Sequence, residues 1–555
     1  MNDSTNPQST QKVGAILFGM ALVVFALIVW RSYFLIDDAF ISFRYAKNWA
    51  EGLGPVYNPG IDQPVEGYSN FSWVVMLTVG AMLGMSPVVL APALSIIAAA
   101  LTLFLVYRCL IRRFETDGLS AGLAALALAA LPSFGVWATG GLETALFGLL
   151  LFAPWYLLSA PREEQGEVKV GVLAGLMGIA LVLTRVEGFL WIGGLCLAIC
   201  VASRGTIPWK RLGVFLVVVA LGVIPHLLWR HSYYGDWVAN TVHAKGGFSS
   251  ATLARGARSL ATFSLMFLWP VLALAGPLGA RSSKQRALGL SALVMAGGAI
   301  AYNFAVGGDW MPMFRFMAPA SAFLAVLFGL GLQKLPKTPR ITLAAVSMAF
   351  AILPIFDISP IPLSLRKSLY FREFQIGYQS EWFRWQTTTF NTGRNTWRGK
   401  ALKSVLKGGE SWSGGAIGAT GYYSNIEILD RNGLVNRAVA LREVEAGQGT
   451  AGHEKRVARA WFRSERPTFY KIYVSTSPVQ PGSKRFDDTV QVLVKLLFTD
   501  PAERELTQCS TVRVIPIKEI QGLAAGSCLV VVEHEDDPKK AITFWSKYLQ
   551  RSPRK

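Results

Sequence analysis

From residue 13 to residue 356 the chain alternates long apolar runs with short polar breaks. Runs such as Val13–Trp30, Val88–Tyr107, Leu212–Trp229, Ala287–Val306 and Ile341–Phe356 match the roughly twenty residues a helix needs to cross a bilayer core. Eleven such spans are expected. A twelfth stretch, Phe71–Ser86, is short and rich in Gly and Met and is expected to lie along the interface as a juxtamembrane helix. The first run has no small-residue cleavage site after it and is expected to remain a span.

The pattern changes at residue 357. The remainder is charged, carries turn signals ("KGGESWSGG", "SPVQPGSKRF") and has runs that alternate as strands do ("RPTFYKIYV", "VQVLVKLLF", "SCLVVVE"). The expected organisation is a tail at 1–12, a membrane domain at 13–356 with its first outer loop at 31–87, and a soluble α/β domain at 357–555. The fold class is a polytopic α-helical membrane protein of about eleven spans plus juxtamembrane helices, with a C-terminal extracytoplasmic α/β domain.

Composition supports this class, since 52% of the 555 residues are apolar. The net charge of +19 would suit nucleic acid, but its distribution has a better explanation. The short loops at 108–118, 161–169, 203–211, 281–286 and 333–340 hold fourteen Lys and Arg. By the positive-inside rule they are cytoplasmic. The amino terminus is then inside and the C-terminal domain outside. All the unusual polar motifs fall opposite the basic loops. Counting Phe71–Ser86 as a span would strand the first motif alone on the other face.

Cysteine adds little. Cys109, Cys196 and Cys200 lie in or beside spans, where the residue packs as a small apolar group. Cys509 and Cys528 are the pair in the C-terminal domain; an oxidising compartment would allow a disulfide between them, and two buried free thiols are the other reading. No Cys/His set has zinc spacing.

The first outer motif, "IDDAFISFRYAKNWAEGLGPVYNPGIDQPVEGYSN", opens on Asp37 and Asp38. One Asp would cap the next helix; a second adds repulsion. Acids beside a membrane are expensive and usually functional. Such a carboxylate can deprotonate an acceptor hydroxyl, or hold a cation against a phosphate. The helix that follows is expected to rest in the interface, with Arg44 and Lys47 at anionic headgroups. Glu66 and Tyr68 close the loop. "TGGLETALF" sets Glu143 at the outer end of a span, and "TRVEGF" puts Arg185 and Glu187 in a short hairpin, where a local ion pair is the bland reading. "YYGDWVANTVHAK" offers Tyr233, Tyr234, His243 and Lys245. Its aromatics suit a sugar but are common at interfaces, and a lone His is more often structural. In "GGDWMPMFRF" two glycines permit unusual backbone angles beside Asp309 and Arg315. Together these groups predict an outward cavity where cations hold a phosphate, a carboxylate activates a nucleophile and aromatics face a sugar.

In this order, with "GATGYYSNIEILDRNGLVNR" further on, the motifs resemble the GT-C superfamily of integral-membrane glycosyltransferases, nearest its terminal arabinofuranosyltransferase (AftB-like) branch. The resemblance covers roughly residues 32–320. It implies a sugar transfer with inversion from a polyprenyl-phosphate donor to a cell-envelope glycan or glycolipid, at the outer face of a bacterial cytoplasmic membrane. It places the catalytic acid on Asp37 or Asp38, with Asp37 favoured as base. Arg185 or Arg315 would meet the donor phosphate, and Glu143 or Asp309 the sugar hydroxyls. A divalent metal is compatible with such chemistry, but no ligand set points to one.

Two other classes compete. A transporter or flippase of lipid-linked glycans should show internal repeats and broken helices in matching halves; no repeat is visible, and the polar residues cluster on one face instead of at mid-membrane. A receptor or assembly protein would have no use for a one-sided acidic pair. The basic, aromatic segment "FREFQIGYQSEWFRWQTTTFNTGRNTWRGKALKSVLK" suits membrane contact or acceptor positioning better than nucleic acid.

Overall fold

The computed structural model describes residues 7–549, apart from 62, 162–165, 246–248, 373–376, 445–453 and 521. Arg162 of the basic loops, and part of the basic aromatic segment, therefore lie outside the described residues.

The chain is a polytopic membrane protein. Among the described residues seven helices are long and apolar enough to cross a bilayer: Gln11–Arg31, Pro87–Arg112, Glu167–Thr184, Trp209–Tyr234, Ser283–Ala305, Pro312–Leu332 and Lys337–Phe356. A bent pair, Gly118–Ala129 and Pro132–Ala138, makes up to eight, its halves meeting at 66°. Pro132 starts the second half, where a missing N–H costs nothing and the ring cannot continue the first. Thr144–Leu158 and Gly188–Ala202 are apolar but shorter. Both begin directly after a polar motif, which uses up residues that would otherwise extend the span. Pro312–Leu332 is the most enclosed of the seven and sits at the centre of the bundle core.

The basic loops meet one another as the charge rule requires. Lys284 reaches Glu115 at 2.8 Å, and Arg340 binds both oxygens of Asp117 at 2.7 and 2.8 Å. Arg211 donates to the Leu158 and Ala160 carbonyls at 2.7 and 2.6 Å, filling acceptors that a helix end leaves open.

The first outer loop forms helix Ala39–Ala50, a coil, and helix Phe71–Met82. The latter has twelve residues, too few to span. Helix Ala39–Ala50 is not laid open along its length, and Arg44 on it is covered. Nine of its residues, Arg44 among them, are buried, because the C-terminal region covers its outer side. Arg44 Nη2 donates to the Ile426 carbonyl at 3.0 Å and its guanidinium lies over Tyr57. Lys47 donates to Asn425 Oδ1 at 3.1 Å. The headgroup role expected for Arg44 is corrected accordingly.

The C-terminal region holds a five-stranded mixed sheet of order β2-β1-β3-β5-β4, with β1 at Ser411–Gly414, β2 at Glu427–Asp430, β3 at Phe469–Ser475, β4 at Ser510–Pro516 and β5 at Cys528–His534. The first three strands run parallel, and β5 is antiparallel to β3 and β4. The two-residue period of a strand divides β5 between two cores. Leu529 and Val531 face helix Glu381–Lys403 and the first outer loop, whereas Val530 and Val532 face helices Lys484–Phe498 and Pro538–Leu549.

Two sequence readings change here. "VQVLVKLLF" is helical. Phe486, Val490, Leu493, Val494 and Leu497 are its buried residues, at helical spacing, and the apparent alternation was one edge of that stripe. Cys509 and Cys528 are both free. Cys528 pairs with Pro516 at one end of the β4–β5 ladder, while Cys509 precedes Ser510 at the other. Six residues of strand, roughly 20 Å, separate them, beyond the reach of a disulfide.

Candidate active site

The motifs converge on a cavity of about 540 Å³ at the end of the bundle away from the basic loops, beneath the C-terminal region. Asp38, Tyr68, Glu143, Arg185, Lys245, Asp309 and Arg315 all line it. These residues span more than half of the chain, and a helix end or inter-helix turn delivers most of them. Asp38 stands at the start of helix Ala39–Ala50, Glu143 before Thr144–Leu158, and Arg185 after Glu167–Thr184.

The two aspartates part company. Asp37 Oδ1 accepts from Asn395 Nδ2 and the Ala419 amide, and Oδ2 from the Gly418 amide, each at 3.0 Å. Its carboxylate is thus held by the C-terminal region. Gly418 is required there, because a methyl at that position would run into the Asp37 carbonyl. Asp38 faces the cavity. It sits at the N-cap position in helical geometry, its side chain makes no capping bond, and capping is not its role. Removal from water, then the charge of Asp37, lifts its pKa from the ordinary 3.8 to about 7, against the pull of Arg315.

Opposite Asp38 runs a chain of charge. Asn70 Nδ2 donates to Glu143 Oε2 at 2.7 Å, and Arg185 Nη1 to Glu143 Oε1 at 2.8 Å. Arg185 Nε donates to Glu187 at 2.5 Å, so Arg185 joins two acids and the pair is not merely local. Burial works against this guanidinium, but Glu187 and then Glu143 outweigh it and hold the proton more tightly. Arg315 Nε meets Asp309 Oδ2 at 3.1 Å. Burial pushes the Lys245 ammonium down, and Glu187 opposes this. Arg255 and Glu454 complete the wall.

The backbone of "GGDWMPMFRF" is bent through four left-handed residues, Gly307, Gly308, Met313 and Phe314. The glycines adopt this freely, but the other two pay a strain of order 1–3 kcal/mol each that surrounding contacts must hold. Those contacts come from beyond residue 357. Arg372 donates to the Asp309 and Met311 carbonyls at 3.1 and 2.8 Å, Glu381 accepts from the Met313 amide at 2.6 Å, and Arg384 donates to the Trp310 carbonyl. Arg372 and Glu381 are themselves a buried ion pair.

Several expected residues stand away from this cavity. Glu66 is buried against Arg230 at 2.8 Å, tying the first loop to helix Trp209–Tyr234; burial lifts its pKa to about 7 despite that partner. His243 pairs with Asp236 at 2.9 Å, Tyr233 stacks on Trp229, and Arg44 lies under the C-terminal region. Glu187 lines a small recess behind Arg185. Sequence reasoning missed Asn70, Arg255, Tyr302 and Glu454 as lining residues. Arg255 had a weak signal, as one of two arginines in helix Ser250–Met266. Tyr302 had none that separates it from an interfacial aromatic. Among the described residues no three His, Cys, Asp or Glu side chains form a metal-holding group.

No family model matches the chain. A stretch of 282 residues is 31% identical to the terminal β-(1→2)-arabinofuranosyltransferase of Mycobacterium tuberculosis, covering 48% of this chain and 42% of that protein. The chain thus matches less than half the length of that relative. The structure is similar to crystal structures of ArnT from Cupriavidus metallidurans, with undecaprenyl phosphate bound (TM-score 0.54) and in the apo state (TM-score 0.53). Each is 14% identical, with 93% of this chain and 97% of that chain covered. This likeness shows a shared fold.

Proposed function

We propose that the protein is a glycosyltransferase of the GT-C type. It moves a sugar from a polyprenyl-phosphate donor to a cell-envelope glycan or glycolipid at the outer face of the cytoplasmic membrane. One observation carries the reading. Asp38, poised near neutrality, shares a cavity with Lys245, Arg185, Arg255 and Arg315. A base that titrates near working pH and a fixed cationic wall are what an acceptor hydroxyl and a departing phosphate require. The partial identity to an arabinofuranosyltransferase makes arabinofuranose the first sugar to try. The undecaprenyl phosphate bound by ArnT gives the lipid class.

In this mechanism Asp38 is the base. Its carboxylate accepts the proton of the acceptor hydroxyl as that oxygen attacks the anomeric carbon. The bond from that carbon to the phosphate oxygen breaks, and its electron pair leaves with the polyprenyl phosphate. Lys245, Arg185 and Arg315 take up the charge, and the attack inverts the anomeric centre. Asp37 is a positioning residue. Its three donors leave its oxygens committed to the C-terminal region, and its charge helps to keep the Asp38 pKa high. The sequence had favoured Asp37; the hydrogen bonding favours Asp38.

The test is purified protein reconstituted with polyprenyl-phosphate arabinofuranose and envelope glycan acceptors, reading transferred sugar by mass spectrometry. Transfer that is lost in Asp38→Asn supports the reading. Transfer by a folded Asp38→Asn protein at the parent rate overturns the assignment, and no transfer with any lipid-phosphate sugar overturns the function.

A further inference from the structure

A second recess lies away from the active-site cavity and shares no lining residue with it. Lys47, Lys400, Lys403, Ser404, Tyr422 and Tyr423 enclose about 450 Å³ where the first outer loop meets the C-terminal region. Three ammonium groups border it, and Lys400 lies near the Tyr423 ring. The one carboxylate that pairs with these lysines among the described residues is Glu51, 4.0 Å from Lys47 and half exposed. Arg44, one turn before Lys47, is buried with its guanidinium over Tyr57 and adds a further positive charge nearby. The recess thus carries an excess of positive charge that the protein does not neutralise.

Its position says what neutralises it. Tyr422 meets the Ser86 side chain, and Ser86 is the residue from which the span Pro87–Arg112 starts. Met82, Leu83, Met85 and Val89 around that start are exposed apolar side chains. Exposed apolar groups at a span's end face lipid, and cations just above them sit at headgroup depth. Lysines at the ends of helices Ala39–Ala50 and Glu381–Lys403 also complement the helix dipoles. That accounts for their sign, but not for three of them converging on an open recess with two phenols.

We propose that this recess binds the phosphate of an anionic phospholipid headgroup, its acyl chains lying along Met82–Val89, and so seats the first outer loop and the C-terminal region on the bilayer. The phosphate oxygens accept from the Lys47, Lys400 and Lys403 ammonium groups and from the tyrosine hydroxyls. This is independent of the transferase reading, because it concerns membrane lipid and no reacting group.

The experiment is native mass spectrometry of the full-length protein, with dihexanoyl phosphatidylglycerol, dihexanoyl phosphatidylcholine and inorganic phosphate as probes. Phosphatidylglycerol should be retained over phosphatidylcholine. The double variant Lys400→Gln, Lys403→Gln should lower its affinity roughly thirtyfold, as two lysines at a membrane surface would. Lys400→Arg with Lys403→Arg should restore it, and melting curves of both variants exclude a folding defect. Should the Gln pair fail to fold, exposed Lys403→Gln alone carries the test with about a fivefold loss. Equal retention of the two lipids, or unchanged phosphatidylglycerol binding in the variants, overturns the proposal. Displacement of the lipid by millimolar inorganic phosphate would show a free-phosphate site and overturn the lipid assignment.

Discussion

At the scale of single residues the proposed mechanism gives the two aspartates different roles, and pH separates them. If Asp38 is the base, kcat/KM should rise with pH through about 7 and level off above it. Asp38→Asn should lose about 10²–10⁴ of the rate. Asp37→Asn should lose less, and its pH limb should move to lower pH, because the Asp37 charge helps to raise the Asp38 pKa. A limb that stays in place would show that Asp37 exerts no such influence. Stability has the opposite sign. Asp38 titrates higher folded than unfolded, so its neutral form costs nothing below about 4 and its charge destabilises increasingly up to about 7. Asp38→Asn should therefore melt above the parent at pH 8, with the gap closing towards pH 4. A variant that melts lower at pH 8 would mean that the charge is compensated.

At the scale of elements the site depends on joints as much as on side chains. Gly418→Ala would drive a methyl into the Asp37 carbonyl. Overpacking of that kind costs about 1–3 kcal/mol, and here it should also slow turnover while leaving donor binding near the parental value. Arg372→Met would leave Glu381 buried without its partner, a loss of about 3–5 kcal/mol, read as a lower melting temperature. Much of this was legible in the sequence. Val13–Trp30 and the other apolar runs became helices, and seven of the named polar groups line one cavity. The sequence also demoted Phe71–Ser86 from the spans, on its shortness, its Gly and Met content and the charge of the loops. What it hid depended on partners remote in the chain. Glu66 lies in the same loop as Tyr68, yet Arg230 draws it away from the cavity. Asp37 and Asp38 are equivalent until Gly418 and Asn395 arrive to occupy one of them. Residues 490–498 were misread because a helical stripe can pass for alternation over nine residues.

For the whole molecule, the decisive fact is that a further apolar cluster joins the membrane bundle to the C-terminal region, beside the core that each has of its own. One apolar cluster runs from Ile28 and Phe34, through Phe40, Phe43 and Trp73, to Trp412, Ile428 and Val531. The strained segment carrying Asp309 and Arg315 is held by Arg372, Glu381 and Arg384, and Asp37 by Gly418, Ala419 and Asn395. Leu434 and Glu454 contribute wall to the cavity itself. The C-terminal region is therefore part of the proposed active site, although most of the cavity's charged residues precede residue 357. A chain ending at residue 356 keeps the apolar helices and should still insert. It should lose transfer entirely, and its first outer loop should become open to protease near Ala39–Ala50. A two-fragment protein, with 1–356 and 357–555 expressed together, should recover part of that activity if the shared core forms from separate pieces. Full activity in the 1–356 fragment alone would mean that the bundle positions Asp38 without help and that the hydrogen bonds to Asp37 are incidental.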